Sequence, residues 1–169
     1  MATSGNIIAG DIDLDKIGKG RTVHERADSI FHPFNRALVR IITMAKNKTK
    51  KYRTEEQTYS LERVSGLINI VTYEFPAWCI ARSHKHLMGQ EEFIINRDAS
   101  FYNKDKFKYL VKPDERQQMA LDLMALVEMA INKTSEDEMN EVWDLLFVML
   151  YCSTKFKEHI DETHIDYGQ

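Results

Sequence analysis

The densest run of chemically capable residues lies between Ser29 and Thr54. Arg36, Arg40, Lys46, Lys48, Lys50, Lys51 and Arg53 follow one another there with no acid between them. Guanidinium and ammonium groups gathered this way pair with phosphate or carboxylate. On a phosphate chain they gain by counterion release, and they position the chain without reading its sequence. A second run interleaves Phe101, Tyr102, Phe107 and Tyr109 with Lys104, Lys106, Lys108 and Lys112. Aromatic faces stack on unpaired bases while ammonium groups meet phosphates. With Arg82, Lys85 and His86 the two runs are expected to form one basic outer surface, clear of the carboxylates. No helix-turn-helix, RRM or zinc-finger signature accompanies them, and a pI near 6.1 argues against a dedicated DNA binder.

Metal-ligand residue types occur at three places. Asp11-x-Asp13-x-Asp15 has the spacing that opens a calcium loop, but Lys16 stands where the loop needs glycine. Thr22 stands where it needs a bidentate acid. The alternation with Ile12 and Leu14 fits an edge strand. His84 and His86 are two apart, so on a helix they point away from each other. His159, Asp161, Glu162, His164 and Asp166 form a C-terminal set that reads as a frayed polar tail. There is no CxxC, HExxH, GxSxG, P-loop or Rossmann glycine pattern. Cys79 follows Trp78 in an apolar stretch and reads as a buried thiol, as does Cys152. No metal, cofactor or catalytic residue is expected from these patterns.

Glu141-Val142-Trp143-Asp144, followed by Leu145-Leu146-Phe147, resembles the ExxD-DLLF stretch of the all-α NTP pyrophosphohydrolases, the MazG-like family. The resemblance covers about seven residues. It implies that Glu141 and Asp144, one helical turn apart, hold Mg²⁺ for phosphoryl chemistry. The family's earlier EExxE helix has no counterpart here. Tyr59 follows Glu55-Glu56 where the third acid belongs, and Ile95 follows Glu91-Glu92. The residues themselves read as an acidic first turn on a capped helix.

The whole chain has 169 residues and a net charge of −3, and that sum conceals a division. Residues 1–15 carry three acids and no base. Residues 16–112 carry 19 Lys+Arg against 10 Asp+Glu, and residues 113–169 carry 4 against 13, so the two long segments stand at +9 and −9. Such a division attracts a phosphate backbone, assembles copies head to tail, or packs the two halves together inside one molecule.

Helical periodicity must position these groups. Pro33 is expected in the first turn of a helix with a stripe of Phe34, Leu38, Ile41 and Ala45. Thr54 and Gln57 predict a capping box for a second helix with a seam of Leu61, Val64, Ile68, Val71 and Phe75. Pro76 ends it, and Ala77–Met88 reads as a third. Glu92–Asn96 reads as a strand or a helical turn. Pro113 opens a further helix with Met119, Leu123, Leu126 and Ala130 inward. Ser135 and Glu138 predict a second capping box, leading into a helix apolar around much of its circumference and therefore central.

The expected fold is all-α, a bundle of about five helices, with residues 1–22 as a mobile arm and 23–169 as one domain. Gly (7) and Pro (3) are too scarce for a turn-rich β fold. No apolar run reaches the ~18 residues a membrane span needs. The expected function is non-enzymatic binding of RNA, single-stranded DNA or an acidic protein through the basic surface, in an oligomer or larger complex. The alternatives are a scaffolding protomer joined through its oppositely charged halves and a divergent Mg²⁺-dependent pyrophosphohydrolase. With no basic-then-apolar leader and two apolar-context cysteines, a cytoplasmic protein with reduced thiols is expected.

Overall fold

The computed structural model describes residues 7–8, 12–102 and 115–169, and the architecture is an all-α bundle. Six α-helices occur among the described residues: α1 (Val23–Thr49), α2 (Glu55–Glu74), α3 (Trp78–Gly89), the single turn α4 (Glu91–Ile95), α5 (Glu115–Lys133) and α6 (Glu136–Thr163). A two-residue antiparallel ladder, β1 (Ile7–Ile8) with β2 (Ile12–Asp13), precedes them and lies against α6.

Long α1 starts ten residues before Pro33, not at it. Thr22 accepts from the Glu25 amide at 3.0 Å, and the Glu25 carboxylate accepts from the Thr22 and Arg21 amides, at 3.3 and 2.7 Å. This capping box supplies the start that the Pro33 reading overlooked. Pro33 sits inside the helix, where it removes one backbone hydrogen bond. Gly20 makes the approach possible: a Cβ there would lie 2.7 Å from Glu25 Cβ.

Residues 12–17 of the expected arm are docked. Ile12, Leu14 and Ile17 are buried in the core, and the Gly18 amide donates to Ser29 Oγ at 2.9 Å. Asp13 caps a short 3₁₀ turn by accepting from the Asp15 amide at 3.0 Å, so these two acids belong to a turn.

The core forms where α1 and α3 pack on α6, with α5 closing against α1 and α2. Ile30, Phe34 and Ala37 of α1 and Leu145, Val148, Cys152 and Phe156 of α6 are buried. Phe156 is the meeting point. Its ring lies 6.1 Å from Phe31, 5.0 Å from His84 and 5.7 Å from Tyr167. Within the core His84 donates from Nδ1 to the helix carbonyls of Ile80 and Ala81 at 3.1 Å. The C-terminal set is not a frayed tail. His159 is buried, with Nε2 2.9 Å from the Tyr167 hydroxyl, and Ile160 packs on the core. Burial, with Arg26 nearby, holds the His159 imidazole below its usual pKa.

The predicted Thr54–Gln57 capping box on α2 is present, at 2.9 and 3.1 Å. Its predicted seam is partly right: Leu61 and Val71 are buried, Val64 and Ile68 half-buried. Phe75 is 65% exposed, because α2 ends at Glu74 and the chain turns at Pro76. Glu92–Asn96 resolves as the turn of α4, which buries Ile94. Cys79 and Cys152 are free and buried, and burial pushes both thiols up, Cys152 to about 12. No single helix is long and apolar enough to cross a membrane among the described residues.

Because one ring joins α1, α3 and the C-terminal tail to α6, Phe156→Ala should destabilise the fold by about 3–5 kcal/mol. Thr54→Ala, which removes one cap, should cost about 1 kcal/mol. Urea denaturation midpoints at neutral pH check both, and equal midpoints for the two variants would contradict the central place given to Phe156.

Candidate anion-binding groove

One flank of α1 repeats polar residues at helical spacing: His32, Asn35 and Arg36, Arg40, Thr43, then Lys46 and Asn47. Opposite them α2 presents Ser65, Asn69, Thr72 and Tyr73. Between the helices lie two adjoining cavities of about 600 and 210 Å³, which share Val39, Thr43 and Asn69 in their walls. Together they make a groove along α1. The larger cavity holds His32, Asn35, Arg36, Arg40 and Tyr73, and the smaller holds Lys46, Asn47 and Ser65. None of the described residues lining either cavity is Asp or Glu.

Asn35 anchors the groove floor. Its Nδ2 donates to the Pro76 carbonyl at 2.9 Å, which fixes the amide's orientation and ties α1 to the α2–α3 corner. Its Oδ1 is buried with no hydrogen-bond partner among the described residues. Tyr73 stands at the groove edge and is 83% exposed.

The predicted basic residues do not all stand clear of carboxylates. Arg40 donates from Nε to Glu141 Oε1 at 2.5 Å, and its Nη2 pairs with the same oxygen. Lys46 reaches across to Glu62 at 3.2 Å and to Ser65 Oγ at 3.4 Å. Lys48 pairs with Glu138 at 2.6 Å. Arg53 donates to the Lys46 carbonyl at 2.9 Å and to Thr58 Oγ1 at 3.0 Å, so it binds the end of α1 to the start of α2. The expected surface free of acids is therefore corrected: Glu141 and Glu138 of the acidic last third reach Arg40 and Lys48, and Glu62 of α2 reaches Lys46. Lys50 and Lys51 are exposed and carry no ion pair among the described residues. Arg36 lines the groove. Lys104, Lys106 and Lys108 lie outside the described residues.

Glu141 and Asp144 face the protein's own cations. Arg97 binds Asp144 at 2.6 Å and Asn140 at 2.8 Å, while Arg40 holds Glu141. No group of three or more His, Cys, Asp or Glu placed to hold a metal occurs among the described residues. His84 is in the core and His86 is exposed, so they do not converge. Ser135 accepts from the Glu138 amide at 3.3 Å, the first half of the predicted box. The Glu138 carboxylate accepts from the Ser135 hydroxyl and from Lys48 instead of closing the second half.

No family model, curated protein or solved structure matches the chain.

The sequence reading named Arg36, Arg40 and Lys46 in this groove and missed Asn35, Thr43, Asn69, Thr72 and Tyr73. Their signal is the polar 3–4 repeat on α1 and the four-residue step from Asn69 to Tyr73 on α2. Both sit beside the apolar stripes that the helix reading follows.

Glu138 supplies a pH test. Its hydrogen bonds from Lys48 and Ser135 hold its carboxyl below the usual range. A carboxyl depressed on folding stabilises above its unfolded pKa, and that contribution fades as pH falls through the folded value. Glu138→Gln should therefore lower the melting temperature at pH 7, and the gap from the parent should close below about pH 4. A gap independent of pH would show that the carboxylate's charge plays no part.

Proposed function

We propose that the protein is a helical interaction module that holds an anionic partner along the α1–α2 groove. The observation that carries this reading is the lining itself: Arg36, Arg40 and Lys46 stand in one groove with carboxamides and hydroxyls, and no acid lines it among the described residues. Lys50 and Lys51 extend the line of cations past the end of α1. Arg40 and Lys46 already have carboxylate partners at the groove rim, and exposed ion pairs of this kind are weak and exchangeable. An incoming polyanion competes for them and releases counterions as it does so. Phosphate chains and acidic protein segments both satisfy this requirement.

The test is fluorescence anisotropy at low salt with labelled oligothymidylate and labelled polyglutamate. At least one should bind, and Arg36→Gln, Arg40→Gln and Lys46→Gln together should weaken it strongly. For the oligonucleotide, the slope of log K against log salt should become shallower by about 0.7 for each phosphate contact removed. Binding of neither polymer, or binding indifferent to the triple variant while its melting temperature stays near the parent's, would overturn the proposal.

A further inference from the structure

Resting on that reading of the groove, we propose that its partner is single-stranded nucleic acid, one base of which stacks on Tyr73 and donates an N–H to Asn35. The charges alone accept any anion. Two further features point to a base.

The first is Tyr73. A ring 83% exposed at the edge of a cation-lined cavity has nothing to gain from water over one face. A base gives it a flat π surface while the neighbouring cations hold the phosphates on either side. Acidic side chains offer carboxylates for Arg36 and Arg40 but no aromatic face for this ring.

The second is Asn35. Nδ2 spends one of its two N–H groups on the Pro76 carbonyl, which sets the amide's orientation and leaves Oδ1 as its unmatched acceptor. That acceptor, Oδ1, has no partner among the described residues, and the side chain lines the same cavity as Tyr73, Arg36 and Arg40. A buried acceptor left without a donor is costly, so a ligand that supplies one gains by it. Carboxylates and phosphates carry no donor at neutral pH, so the donor comes from a peptide's backbone N–H or from the imide and exocyclic amino nitrogens of a base; of these two, the base alone also supplies the flat face that Tyr73 takes. Oδ1 is buried, so the proposed base edge meets it only as the atoms that cover it move aside. The cavity, about 600 Å³, is within the range that holds a small ligand.

The experiment compares four ligands on the parent protein by anisotropy: oligothymidylate, an abasic oligonucleotide of the same length, oligo-N3-methylthymidylate and polyglutamate. Oligothymidylate should bind at least tenfold more tightly than the abasic chain, which keeps every phosphate and loses every base. The N3-methyl chain, which stacks but cannot donate from N3, should fall between them. Tyr73→Ala should remove about tenfold of the oligothymidylate affinity, and Tyr73→Phe should retain it. Tyr73 is exposed, so neither substitution threatens the core, and the modified ligands probe Asn35 without altering a buried side chain. Equal binding of oligothymidylate, the abasic chain and polyglutamate, all lost in the Arg36, Arg40 and Lys46 variant, would overturn this inference and leave the anion-binding groove standing. Polyglutamate binding alone would identify an acidic protein partner. No cation-dependent binding of any ligand would remove both readings.

Discussion

The fold turns on the burial of one aromatic ring. Phe156, near the end of α6, is fully enclosed, and Phe31, His84 and Tyr167 close around it from α1, α3 and the C-terminal tail. The apolar stripe of α1 must face this ring and the α6 residues before it, which fixes the rotation of α1 about its own axis. A helix of 27 residues is about 40 Å long, and its polar flank is carried as far as its apolar one. The groove is the outcome. α1 cannot turn its Asn35–Lys46 flank inward without exposing Phe34 and Ala37.

α2 leaves room for the groove because it is a poor core helix. It buries only Ser60, Leu61, Ser65 and Val71, and Tyr59, Leu67, Ile70 and Tyr73 remain in solvent. Asn35 holds its far end through the Pro76 carbonyl, and Arg53 with Lys46 holds its near end. Two polar ties space the helices where a continuous apolar seam would have closed them.

Much of the all-α architecture was legible in residue patterns because it rests on local chemistry. The Thr54–Gln57 box, the break at Pro76 and the all-round apolar surface of the last helix each depend on residues within a few positions of one another. What was not legible depends on partners far along the chain. Phe75 repeats at the right interval for the α2 seam, yet the reversal at Pro76 carries it outside. Pro33 looked like a helix start because Thr22, eleven residues earlier, closes the expected arm, and its pairing with Glu25 carries no apolar stripe to mark it. The basic residues were correctly seen as a concentration. Their ion pairs were not, since Glu138 and Glu141 lie some hundred positions away and come beside α1 only when α6 docks. The groove's uncharged residues were hidden for another reason: periodicity arguments follow apolar side chains, and Asn35, Asn69 and Thr72 fall between them.

The double placement of Arg40 has a thermodynamic corollary. Arg40 lines the groove, and its guanidinium clasps Glu141 of α6. Whatever draws that guanidinium toward the groove loosens the clasp, and whatever tightens the clasp withholds the guanidinium. By linkage the two occupancies share one coupling free energy of equal size in both directions. In the proposed reading, one side chain thus makes the hold of α6 on α1 and the hold of the groove on an anion two readings of the same quantity.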